Sequence, residues 1–140
     1  MRVRGNGFTL IELMVTIAVL AIIAMMAAPS FVNQIRQNQL NSAANEIVLL
    51  ASQTRSEAIL RKKEKTLSLA TGIGGDESWT PLEHVVWATA PSLLKYNYFG
   101  YLVGANQCFV LKHVKNDALK AVIRFNTNGS VVYNKNQTTC

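Results

Sequence analysis

One segment constrains this chain more than any other: from Phe8 to Ala28 it runs for 21 residues with only Thr9, Glu12 and Thr16 polar. At a helical rise of about 1.5 Å per residue, such a run spans a hydrocarbon layer of roughly 30 Å. The expected element is therefore a single transmembrane helix over 8–28, preceded by a short basic leader over 1–7 that carries Arg2 and Arg4. A cleaved secretory signal shows a similar opening. Two features argue against it. Glu12 puts a carboxylate in the first turns of the apolar run, which costs on the order of 3 kcal/mol or more in lipid unless it is paired. Ala27 and Ala28 are followed at once by Pro29, an awkward cleavage junction.

The basic leader places the N-terminus in the cytoplasm by the positive-inside rule, and residues 29–140 on the far side of the membrane. There remains enough chain for one modest domain. The net charge of +6 falls to +4 if Arg2 and Arg4 are removed with the leader, so the rest stays basic. Cys108 and Cys140 are the only cysteines. Both fall in the exported part, where oxidising conditions favour a disulfide between them, closing a loop of roughly 30 residues worth about 3–4 kcal/mol.

Beyond the apolar run the helix is expected to continue. Leu40, Ala44, Ile47, Ala51, Thr54 and Ala58 recur at spacings of three and four, widened by Ala43 and Leu50, while Gln34, Asn38, Asn45, Gln53, Arg55 and Glu57 form the opposite, solvated face. Pro29 lies inside this helix and removes one backbone hydrogen bond, so a kink is expected there. After Arg61-Lys62-Lys63-Glu64-Lys65 the pattern changes to strands over 66–70, 84–90, 107–114, 119–126 and 131–133. Asn126-Thr127-Asn128-Gly129 reads as a hairpin turn with glycine at positive φ. The fold class is α+β: a long kinked N-terminal helix, half transmembrane and half amphipathic, packed on a small antiparallel β-sheet.

The stretch Gly7-Phe8-Thr9-Leu10-Ile11-Glu12 resembles the processing site of type IV prepilins and type II secretion pseudopilins. That resemblance implies that a prepilin peptidase cuts after Gly7 and methylates the new amino group of Phe8. Glycine suits a cut site where backbones must approach closely. Glu12 then has a partner: four residues along a helix from Phe8, it can meet the Phe8 ammonium of a neighbouring subunit and set register during assembly. Arg55-Ser56-Glu57-Ala58-Ile59, followed by a basic turn and a strand, is similar to the GspH/FimT group of minor pilins and pseudopilins. Members of that group sit in the filament with major and other minor pilins and prime its assembly, which implies passage from inner membrane to cell surface.

Two other roles come with the same resemblance. One is that of a type II secretion pseudopilin, although the paired cysteines are more like a pilus subunit. The other is a receptor for double-stranded DNA in natural transformation, with Arg61, Lys62, Lys63, Lys65, Lys112, Lys115, Lys120, Arg124 and Lys135 as the phosphate-binding candidates. DNA-binding members carry arginines after the turn glycine, whereas here Gly129 is followed by Ser130-Val131-Val132. Enzymatic chemistry has no foothold. His84 and His113 are the only histidines and have no metal-ligand spacing, Asp76-Glu77 alone is too little for a calcium site, and no nucleotide loop or nucleophile elbow occurs. No catalytic residue, metal or cofactor is expected. Tyr96, Tyr98, Phe99 and Tyr101 cluster between Pro91 and Gly104, with packing the expected role and subunit contact the other.

Overall fold

The computed structural model describes residues 8–70, 72–135 and 137–140, leaving aside the side chains of Ala27 and Ala28. It forms one helix, α1 (Leu10–Arg61), followed by seven strands: β1 (Lys65–Ser68), β2 (Glu77–Ser78), β3 (Val85–Trp87), β4 (Leu93–Tyr96), β5 (Gln107–His113), β6 (Asn116–Phe125) and β7 (Val131–Asn134). Two compact units result, Met1–Ile35 and Arg36–Cys140. Phe31, Val32 and Ile35 are exposed, and the buried face begins at Leu40.

In the first unit α1 presents apolar side chains all round, and Leu10, Leu13, Leu20, Ile22 and Met25 are each more than half exposed. A helix with no polar face has nothing to gain from water on any side. Pro29 lies inside α1, and the helix is kinked at the break between Leu10–Met26 and Pro29–Arg61. Among the described residues no single straight helix is long and apolar enough to cross a membrane alone, whereas this bent pair is, by length and composition.

In the second unit the expected stripe is buried as a set. Leu40, Ala43, Ala44, Ile47, Ala51 and Ala58 have no exposed surface, and Thr54 joins them because its hydroxyl donates to the Leu50 carbonyl at 2.8 Å. The small residues let the strands come close to the helix. One expectation on the opposite face needs correcting: Arg55 is half-buried rather than free in solvent, and its Nε donates to the Gly100 carbonyl at 2.9 Å.

Where one antiparallel sheet was expected, there are two. A three-stranded sheet has the order β2-β1-β4, with β1 and β2 parallel, and a four-stranded antiparallel sheet has the order β3-β5-β6-β7. All five expected strands are present with shifted ends. The additional strands are β2, too short to show a pattern, and β4, whose apolar residues merge in sequence with the aromatic cluster that follows. In β6, Leu119, Ala121, Ile123 and Phe125 alternate onto the core side. Asn126–Ser130 closes the hairpin to β7 with Gly129 at φ +80°, as expected.

One core joins helix and both sheets: Leu67, Leu94 and Tyr96 of the smaller sheet meet Val85, Phe109, Leu111, Ile123 and Phe125 of the larger. Aromatic edges tie it together, Trp79 to Trp87 with ring centroids 5.5 Å apart, Trp87 to Phe109 at 6.0 Å and Phe109 to Phe125 at 5.7 Å. Both indole N–H groups find acceptors, Glu46 at 3.2 Å and the Leu69 carbonyl at 3.0 Å. Cys108 of β5 is disulfide-bonded to Cys140, with Cα atoms 5.9 Å apart. The bridge holds residue 140 against the large sheet, where Arg124 Nη2 also donates to the Cys140 carbonyl at 3.2 Å.

Candidate assembly site

The start of α1 is built by Thr9, whose part in it the apolar pattern alone does not reveal. Its Oγ1 accepts the Glu12 N–H at 3.3 Å, and its carbonyl accepts the Leu13 N–H at 3.2 Å. Thr9 is therefore the N-cap and Glu12 the third helical residue. Thr-x-x-Glu is the spacing of a capping box, a signal that the sequence does carry. A carboxylate in the first turn also complements the positive end of the helix dipole. Glu12 thus has a local reason for its position in addition to any partner outside the chain.

Phe8 lies before the helix and is 80% exposed, so the four-residue helical relation expected between Phe8 and Glu12 does not hold within the chain. Gly7, the expected cleavage position, lies outside the described residues. From Leu13 to Ile35 no charged residue occurs, which leaves Glu12 as the sole charge of the apolar run. Thr16 adds no unsatisfied donor there, because its hydroxyl donates to the Leu13 carbonyl at 2.8 Å.

The nine cations proposed to contact phosphate do not assemble into one surface. Arg61 pairs with Glu57 at 3.4 Å, Lys112 with Asp117 at 2.9 Å, and Lys65 with Asp76 at 2.9 Å. Lys62 and Lys63 follow the helix end, while Lys115 sits in the β5–β6 turn, tied through His113 to Gln39 near the other end of the packed helix. From residue 39 to residue 61 the helix rises roughly 33 Å. Lys120 neighbours Lys112 across β5 and β6, and Lys135 follows β7.

The basic turn has structural reasons of its own. Lys62 takes the left-handed conformation, φ +52°, that closes α1: its N–H bonds the Ile59 carbonyl at 3.3 Å and the Lys63 N–H bonds the Ala58 carbonyl at 3.2 Å. This is the double closure usually made with glycine. Asp76 then fastens the exit of the turn, accepting from Lys65 Nζ, from the Thr66 N–H at 2.8 Å and from the Thr66 hydroxyl at 2.9 Å. These bonds, with that from Lys65 the strongest, hold its carboxyl down at a pKa of about 2. Asp76 is exposed but fully engaged by groups of its own chain, and among the described residues no group of three potential metal ligands occurs.

Of the aromatic cluster, Tyr96 goes into the core, whereas Tyr98, Phe99 and Tyr101 are each more than half exposed. The turn displaying them is pinned by hydrogen bonds. Asn97 Oδ1 accepts the N–H groups of Phe99 and Tyr101, both at 3.0 Å, and Arg55 fixes the Gly100 carbonyl from the helix side.

The comparisons with known proteins agree with this geometry. Residues 2–28 match the prokaryotic N-terminal methylation motif. The chain is 36% identical over 72 residues, 51% of its length, to the type IV major pilin protein PilA of Myxococcus xanthus, and 40% identical over 59 residues, 42% of its length, to a fimbrial protein of Pseudomonas aeruginosa. These matches span 31% and 38% of the relatives, about a third of their length. In fold the chain resembles the crystal structure of the type IV minor pilin FimU of P. aeruginosa, with a TM-score of 0.52 and 18% identity over 69% of this chain and 89% of that one. A second crystal form of FimU agrees, with a TM-score of 0.50.

The chain thus resembles type IV pilins in carrying an N-terminal methylation motif on a hydrophobic helix, followed by a small α+β head. Its architecture is that of the FimU fold.

Proposed function

We propose that this chain is a minor type IV pilin: cut after Gly7 by prepilin peptidase, methylated on Phe8, held in the inner membrane by residues 8–28, and then drawn into a filament whose assembly it primes. The observation that carries the reading is the solitary Glu12 at the capped start of a helix whose apolar side chains are exposed on every side. Such a surface has two stable surroundings, lipid and a bundle of like helices, and transfer between them is what assembly requires. In lipid the carboxylate is costly. Among packed subunits it gains the new Phe8 ammonium of a neighbour, and because Phe8 precedes the helix that ammonium can swing to meet it. The pair favours the filament and fixes the axial step.

In the native bacterium, Glu12→Ala is expected to reduce the subunit in sheared pili at least tenfold while leaving its level in membranes unchanged, as read by quantitative immunoblotting. Incorporation at the wild-type level would overturn the role of Glu12. Deleting the gene is expected to lower the number of surface pili, and a loss of type II secretion with pili unchanged would instead make the chain a pseudopilin.

The DNA-receptor reading gains no support from the arrangement of charge. Three of its nine candidates are held in ion pairs, and Lys62 and Lys63 at the helix end lie far along the packed helix from Lys115 beside Gln39.

A further inference from the structure

A second cationic group lies far from the lysine turn. Arg36 opens the packed unit and is the first charged residue after Glu12. One turn on, Gln39 accepts the Nε2–H of His113 at 3.0 Å; that tautomer follows because the other ring nitrogen, Nδ1, accepts the Lys115 N–H at 3.0 Å. His84 is drawn to the same place by β3–β5 pairing, its carbonyl accepting the Val114 N–H at 3.0 Å beside the Val85↔His113 register. Three separate elements thus bring Arg36, His84 and Lys115 around one buried imidazole, and His84 and Lys115 are exposed.

Among the described residues none of Arg36, His84 and Lys115 takes part in an ion pair, unlike Arg61, Lys65, Lys95 and Lys112. The His113 pKa is lowered by burial first and then by Arg36, His84 and Lys115, a sign that nearby positive charge is not offset by a carboxylate. Glu83, next to His84 in the chain, forms no ion pair among the described residues. Arg36 also follows Met26 by only ten helical residues, a path of no more than about 15 Å. The covalent chain therefore keeps this unpaired charge within reach of any bilayer that holds the apolar run.

The geometry points to a lipid-docking surface in which Arg36, Lys115 and His84 bind the anionic phospholipid headgroups of the membrane that holds the apolar run. It rests on the membrane-anchored reading above. A basic cluster beside a membrane anchor is attracted to an anionic surface, and the attraction is screened within a Debye length. Docking would hold the head of the waiting subunit in one orientation, and entry into the filament would release it.

The test uses the full chain, with its disulfide formed, in vesicles of phosphatidylcholine alone and in vesicles with about 30% phosphatidylglycerol. A water-soluble amine-acylating reagent is applied and each lysine is followed by mass spectrometry after flotation. Lys62 and Lys63, roughly 39 Å of helix away from Arg36, serve as internal standards in the same molecules. Lys115 should react at least threefold more slowly, relative to them, in anionic vesicles than in neutral ones. High salt should remove the difference, and Arg36→Gln should reduce it by half or more.

Equal relative reactivity in the two vesicles, or equal slowing of Lys62 and Lys63, would overturn the docking surface while leaving the anchor intact. Failure of the chain to float with either vesicle would overturn both.

Discussion

The two halves of α1 use similar residues to opposite ends. Ile22 and Ile47 lie in the same helix, yet Ile22 is 61% exposed and Ile47 not at all. In the first half the apolar residues occur all round and are available to lipid or to other subunits. In the second most of them fall on one stripe, which both sheets cover, and only a few such as Leu49 and Leu60 remain exposed. Hydrophobicity alone therefore does not tell an exposed apolar surface from a core; its angular distribution does. The same contrast holds for the carboxylates. Among the described residues Glu12 meets its own helix end, whereas Glu46, Glu57, Glu64, Asp76 and Asp117 each hold a named partner in the head.

The sharpest way to break this comparison is to truncate each isoleucine in turn. Ile47→Ala should destabilise the head by about 3 kcal/mol, since a buried side chain is lost and a cavity remains. Ile22→Ala should leave the thermal unfolding of the head unchanged. Equal shifts in the two melting curves would mean that the halves are not energetically distinct.

Gly129→Ala comes next. At φ +80° an added Cβ would lie 2.0 Å from the Gly100 carbonyl oxygen and 2.7 Å from Arg55 Nε, so the hairpin or the aromatic turn must move. A loss of about 2–3 kcal/mol in denaturant unfolding is expected.

Lys62→Gly should act in the other direction. Relief of the left-handed lysine at the helix end is expected to stabilise the head by about 0.5–1 kcal/mol in the same assay, without altering Glu12-dependent incorporation. If stability fell instead, the Lys62 side chain would have a role that its exposure conceals.

The smallest effect concerns acid. Asp76 titrates near 2 in the folded head against an ordinary value of 3.8, so its contribution is complete above about pH 4 and is lost as the pH falls through 2. Asp76→Asn should therefore melt below the wild type at pH 7, and the two melting temperatures should converge near pH 2. A gap that persisted at pH 2 would assign the effect to lost geometry rather than charge.

Much of this protein is legible in local signals along the chain. A run of apolar residues with one carboxylate, a stripe at spacings of three and four, five alternating segments and an Asn-Gly turn each report on neighbours a few residues apart, and that is the range over which backbone periodicity acts. The Thr9 cap belongs to the same class. Arg55 does not: its partner, Gly100, is 45 residues away, so on the helix alone it counts as one more solvated side chain. The lysines likewise form one reservoir of charge in the sequence, until folding brings Asp76 to Lys65 and Asp117 to Lys112.

The sequence by itself determined that this chain has an apolar helix with a single acid near its start, an amphipathic continuation and a β-rich head, because each follows from spacing along the chain. Only the tertiary structure decided that the strands divide into two sheets, that three of the nine candidate cations are neutralised in ion pairs, and that Arg36, His84 and Lys115 come together around His113. Those outcomes depend on which distant residues meet. Contact between them is set by the packing of helix and sheets around one core, which no local pattern encodes.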